Sequence, residues 1–120
     1  MEQLFSTLFD ARTQTHLFHL QSKSYAEHMA LGGFYDSLLD MTDALIESYQ
    51  GKYGIVTSYT PTKSYESYSS ANVIKYLKGL GIYVERSYKK VKPVDTYILN
   101  QLDTITQLIY STIYKLENLK

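Results

Sequence analysis

Three histidines, His16, His19 and His28, and four carboxylates, Asp36, Asp40, Asp43 and Glu47, are the side chains of this sequence best suited to chemistry. The acids recur at steps of four, three and four, which on a helix gathers them into one stripe. Taken alone, such a stripe reads as a solvated face. His16 and His28 lie on either side of a short polar turn around Lys23. If the flanking segments are helices, the hairpin they form brings His16 and His28 side by side, with His19 three residues past His16 and sharing its face. Imidazoles on adjacent helices offer nitrogen ligands of the kind divalent transition metals take. Two half-exposed histidines with no ligand are the alternative reading.

Other chemistries are excluded. Cysteine is absent, which removes disulfides, thiol catalysis and cysteine-ligated zinc. Gly79-Leu80-Gly81 lies within a helical pattern and lacks the third glycine and preceding strand of a phosphate loop. No nucleophile elbow is present. Arg86, Lys89, Lys90 and Lys92 cluster at a helix end, where cations complement the dipole. Lys+Arg and Asp+Glu are both 12, so no net field draws the chain to nucleic acid or to an anionic membrane. The sequence Met1-Glu2-Gln3-Leu4-Phe5 has neither the basic start nor the apolar core of a signal peptide. No apolar run approaches the roughly 20 residues of a membrane helix. A soluble, intracellular (cytoplasmic) protein is expected.

The elements that must position these residues are helices. The 120 residues suffice for one core, and the 44% hydrophobic and 20% charged fractions are those of a globular domain, so 1–120 is read as a single domain. Leu4, Phe5, Leu8, Phe9, Leu17, Phe18 and Leu20 predict a helix over 2–21. Ser24 and Glu27 form a capping-box pattern that opens a second helix over 24–50, with Leu31, Phe34, Leu38, Met41 and Leu45 as its stripe and Gly51 as its stop. Residues 51–69, rich in Gly, Ser, Thr and Tyr, read as a long surface loop in which 55–60 form a short extended piece. Val73, Ile74, Leu77, Leu80 and Val84 predict a third helix over 70–89, weakened by Gly79 and Gly81. Pro93 suits the first turn of a fourth, over 94–118, whose face is Ile98, Leu102, Ile105, Leu108, Ile109, Ile113 and Leu116. The expected fold is an all-α, ferritin-like four-helix bundle with a long loop between helices 2 and 3. Thirteen tyrosines and no tryptophan fit amphipathic positions at core edges and interfaces.

At this point the chain resembles a family. His16, His28, Asp43 and Glu47 stand at steps of twelve, fifteen and four, and Phe34 sits between them on the second helix. This looks like the first two helices of the Dps mini-ferritins, over about 32 of the 120 residues. The resemblance implies iron as cofactor, bound by His16, His28, Asp43 and Glu47, and ferroxidase activity toward Fe(II) at a site shared between two subunits. There are departures. The family's acid four residues after the second histidine is Gly32 here, with Asp36 one turn on as a partial replacement. Its tryptophan after the first histidine is Leu17. The basic DNA-binding tail and the short helix between the second and third helices are missing. DNA binding is therefore not expected. A slighter similarity, carried by Tyr114-Lys115-Leu116, is to small phage-encoded helical proteins, for which a virion-associated location would follow.

Helix geometry adds a constraint. His28 and Asp43 are fifteen residues apart on one helix, about 22 Å at 1.5 Å per residue, so one chain cannot bring both to one metal. Two copies paired antiparallel along this helix would place the histidines of one against the acids of the other, twice, about a two-fold axis. Two imidazoles and two carboxylates suit Fe(II). The alternative is a metal-free helical interaction or assembly module, a phage structural or accessory protein.

Overall fold

The computed structural model describes residues 1–60 and 64–120, so Pro61, within the expected loop, lies outside the described residues. Four helices follow one another: α1 (Glu2–Gln21), α2 (Tyr25–Tyr53), α3 (Ser70–Tyr88) and α4 (Thr96–Asn118). Each forms where an apolar face recurs at helical spacing. The largest fully buried side chains are Phe5, Leu8 and Phe18 from α1, Leu31, Phe34, Leu38 and Leu45 from α2, Leu77 from α3, and Ile98, Leu102, Ile105 and Ile109 from α4. Fully burying one such side chain contributes roughly 1.5–3 kcal/mol, so this interior, more than intrinsic propensity, holds the helices. Ser24 and Ser69 cap α2 and α3, their hydroxyls accepting from the backbone N–H of Glu27 and Asn72.

The connections fix the topology. Tyr49 and Tyr53 at the end of α2 share a small hollow with Met1, with Val91 and Lys92 after α3, and with Asp95 and Ile98 at the start of α4. At the opposite pole, Ser24 and Glu27 of α2 lie beside Ser70 and Ala71 of α3 and Leu116 of α4. Thus α1 and α4 run one way and α2 and α3 the other. Neighbours in the bundle are α1 with α2, α2 with α4, and α3 with α4, while α1 meets α3 only sparsely. This is a four-helix bundle with one long crossover. The 29 residues of α2 span about 43 Å, and any chain of sixteen residues, the length of the connection from 54 to 69, reaches at most about 53 Å. The crossover must therefore return from the pole where α2 ends to the pole where α3 starts. It is held to α1, whose middle presents small and polar side chains. Gln14 accepts from the Glu66 N–H and donates to the Glu66 carbonyl, and Ser6 accepts from the Thr60 N–H.

Several boundaries differ from expectation, each for a tertiary reason. Gly51 does not stop α2. The helix continues one more turn because Lys52 and Tyr53 both bind the Asp95 carboxylate, which outweighs the roughly 1 kcal/mol that a helical glycine costs. Gly54, at φ 94°, ends it and donates its N–H to the Gln50 carbonyl. Pro93 lies ahead of α4, in a turn closed by the Asp95 N–H and the Lys92 carbonyl. Asp95 stands at the N-cap of α4 but makes no side-chain cap, because its carboxylate is taken by α2. Residues 55–60 form no strand. Phe9 and Leu20, read as part of the apolar face of α1, are exposed.

Candidate functional site

The α1–α2 hairpin carries the candidate site, and its local structure follows from two serines. Ser24 caps α2, and the Ser22 hydroxyl donates to the Glu27 carboxylate. Glu27 also accepts from Tyr68 at the end of the crossover. The capping box is thus only half formed, since Glu27 turns to Ser22 and Tyr68 and not back to the Ser24 N–H. With the turn so fixed, α1 and α2 lie antiparallel and in contact.

The histidine pair that forms is His19 with His28, and not His16 with His28 as the spacing suggested. The two rings stack with centroids 3.7 Å apart and planes inclined by 22°. His19 Nδ1 lies 2.7 Å from the His28 carbonyl oxygen, and His28 Nδ1 lies 3.0 Å from the His19 carbonyl oxygen. A carbonyl oxygen only accepts, so both Nδ1 atoms must carry hydrogen. Each ring then holds its lone pair, when neutral, on Nε2. Two side chains and two backbone carbonyls form a reciprocal clasp between the last turn of α1 and the first turn of α2.

Gly32 makes this clasp possible. A Cβ at position 32 would stand 3.1 Å from His19 Cε1 and 3.2 Å from His19 Nδ1. The ring of His19 occupies the space that a side chain at position 32 would take. His16 faces a different partner. Its ring stacks on Tyr35 at 4.2 Å, with the Arg12 guanidinium 5.6 Å from the centre of the same Tyr35 ring. His16 and His19 are 6.1 Å apart between ring centres. The sequence placed His19 on the face of His16 but did not assign it a role. The signal that marks it is Gly32, a residue without a side chain opposite a histidine.

The carboxylates lie elsewhere on α2. Asp36, Asp40, Asp43 and Glu47 are all exposed, in a stripe that begins with exposed Tyr25, Met29 and Gly33. Among the described residues, no group of three or more His, Asp or Glu side chains is arranged to hold a metal within one chain.

A second polar centre lies at the other pole and was not anticipated. Asp95 is 1% exposed and binds both the Lys52 ammonium and the Tyr53 hydroxyl. Hydrogen bonds from Lys52 and then Tyr53 hold its carboxyl below the usual range. The bond to Asp95 correspondingly raises Lys52 and Tyr53. Nothing in local spacing pairs residues 43 positions apart, so pattern reading had no access to this contact.

The class so defined is a helical bundle with a single long crossover and a histidine clasp on its first hairpin. The chain belongs to a family of unknown function, DUF5856, whose model matches residues 19–116 and so spans the clasp, the acidic stripe, α2 and α3 in full and most of α4. It is similar to the "Uncharacterized 14.6 kDa protein in mobD-ri intergenic region" of Enterobacteria phage T4, with 29% identity over 115 residues, covering 96% of this chain and 86% of that protein. No solved structure matches. No helix among the described residues is long and apolar enough to cross a membrane.

Proposed function

We propose that this chain is a metal-free helical assembly module of phage origin, working as an antiparallel pair of copies joined along α2. The observation that carries this reading is the outer face of α2. It exposes Tyr25, Met29 and Gly33 toward one end and Asp36, Asp40, Asp43 and Glu47 toward the other, and among the described residues none of the four carboxylates has a partner within the chain. Antiparallel pairing centred near Asp36 sets the hairpin end of one copy, with Lys23, His28 and Met29, against Asp43 and Glu47 of the other. Gly33 allows close approach beside Asp40. The histidine clasp supports this reading because both Nδ1 atoms serve to close the hairpin. Sedimentation equilibrium tests it. The wild-type chain is expected to be a dimer, and Asp43→Lys/Glu47→Lys a folded monomer. A wild-type chain that stays monomeric at millimolar concentration would defeat the proposal.

One observation favours a second reading. A histidine whose Nδ1–H is held by a backbone carbonyl presents Nε2 in the tautomer that ligates a metal. The same pair would bring His16 and His28 of one copy to Asp43 and Glu47 of the other, with Asp36 near the axis, as a shared site oxidising Fe(II). Anaerobic Fe(II) titration followed by air distinguishes the two. The assembly reading expects no saturable binding, whereas the iron reading expects two shared sites per pair and an oxidation absent from Asp43→Ala/Glu47→Ala.

A further inference from the structure

We propose that the outer face of α4 is a second contact between copies of this chain, two-fold and antiparallel. Between Thr96 and Tyr114 the chain carries one charge, Asp103. An exposed helix face ordinarily bears charged side chains. Here the face opposite the core consists of Tyr97, Asn100, Thr104, Gln107, Ser111 and Tyr114, all exposed and all uncharged. Asp103 lies off this stripe, toward α3, where it lines a hollow with Ile82 and Arg86. The other side of α4 packs on α2 and α3, and nothing among the described residues covers the stripe.

The spacing says what covers it. The steps along the stripe are three, four, three, four and three, which is the seam of a paired-helix contact. The stripe also has the same character read from either end. Antiparallel pairing about the point midway between Thr104 and Gln107 sets Tyr97 against Tyr114, Asn100 against Ser111 and Thr104 against Gln107 of the second copy, each twice. The tyrosines then close both ends as aromatic pairs. The four residues between them all donate and accept hydrogen bonds, so they face their counterparts with no like-charge repulsion. Tyrosine without charge is also the composition of interface cores. The contact is a light one. The stripe is about 26 Å long and one helix, about 10 Å, wide, well short of the roughly 800 Å² per partner of a stable complex. A chain left with this face alone therefore sediments as a monomer. Where chains are already paired along α2, the α4 face links pair to pair, and that step alone rests on the reading proposed above.

Covalent trapping suits a transient contact, and the chain has no cysteine of its own to interfere. Asn100→Cys and Ser111→Cys are made as two separate proteins, mixed and mildly oxidised. In this register position 100 of one copy faces position 111 of the other, whereas each position stands about eleven residues, or about 17 Å, along the helices from its own counterpart. A disulfide needs Cα atoms within about 7 Å. The mixture should therefore cross-link, and neither protein should cross-link to itself. Adding Thr104→Glu/Gln107→Glu to both sets like charges face to face at the centre and should abolish the cross-link. Glu is a strong helix former, so α4 should persist, which circular dichroism reports. Adding Asp43→Lys/Glu47→Lys instead should leave the cross-link in place. The α4 contact is overturned by a mixture that does not cross-link, or by single variants that cross-link as readily as the mixture. A cross-link that survives Thr104→Glu/Gln107→Glu, or that is lost with Asp43→Lys/Glu47→Lys, overturns it equally. A chain that stays monomeric in sedimentation yet cross-links 100 to 111 defeats pairing along α2 and upholds the α4 contact.

Discussion

The clasp residues respond to single-atom changes. Gly32→Ala adds a methyl 3.1 Å from the His19 ring, so the ring must move by a few tenths of an ångström. The substitution also gains about 1 kcal/mol of helix propensity and weakens a hydrogen bond worth about 1 kcal/mol. Thermal stability should therefore change little, while the ring-current shifts of the His19–His28 stack change clearly. Unaltered histidine shifts in Gly32→Ala would show that the rings do not pack on this glycine in solution. At the opposite pole, the sign of the pH dependence follows from the lowered Asp95 carboxyl. A group whose folded pKa is depressed contributes stability that is present above its unfolded value, about 4, and is lost as pH falls through the folded value. Lys52 acts in the other direction, since its raised folded pKa contributes stability that is lost only as pH climbs through that value, beyond about 10. The clasp of Asp95 is thus intact across the neutral range. Asp95→Asn should flatten the fall in melting temperature below about pH 4 and fray the last turn of α2. Identical acid limbs in the two proteins would remove Asp95 as the cause.

Among the elements, α3 offers a test of how much its two glycines cost. Nothing lies within 4 Å of a Cβ built on Gly79, whereas one built on Gly81 would meet the Tyr110 ring at 3.1 Å. Gly79→Ala should stabilise the protein by roughly 0.5–1 kcal/mol. Gly81→Ala should not, because Tyr110, which donates to Glu85, must be displaced. Denaturant midpoints of the two variants that shift alike would mean α3 and α4 do not approach as closely as they do here. The same contrast explains what could be read from sequence. The four helices were legible because Leu31, Phe34, Leu38 and Leu45, or Ile98, Leu102, Ile105 and Ile109, declare one face each. The end of α2 was not, since Gly51 carries a strong local stop signal that a contact with Asp95, distant in sequence, overrides. The hairpin was legible from Ser24 and Glu27, and its register was legible too: His19 and His28 stand four and five residues from Lys23, whereas His16 stands seven. His28 accordingly meets His19, and His16 stacks on Tyr35.

For the whole molecule, the crossover leaves α2 as the longest helix, with its outer face open to a second copy. Antiparallel pairing makes each end of that face meet the other end of its partner, so the two kinds of end are required in trans. Mixing His16→Ala/His28→Ala with Asp43→Ala/Glu47→Ala therefore separates pairing from metal binding. In the mixed pair one end keeps all four wild-type side chains and the other loses all four. If pairing rests on those contacts alone, the mixed pair holds together at one end and should form more tightly than the acid-deficient homodimer. If the shared site binds Fe(II), the mixture should also regain about half of the wild-type iron sites after subunit exchange, although neither parent binds any; metal would then strengthen the pair by mass action. Asp36 supplies the opposing check. In the proposed antiparallel pair it would meet its own copy near the axis, where two like charges destabilise the pair, so Asp36→Asn should tighten the dimer measured by sedimentation. A looser dimer in Asp36→Asn would mean that the carboxylate makes a favourable contact there, and would shift the pairing axis away from the middle of α2.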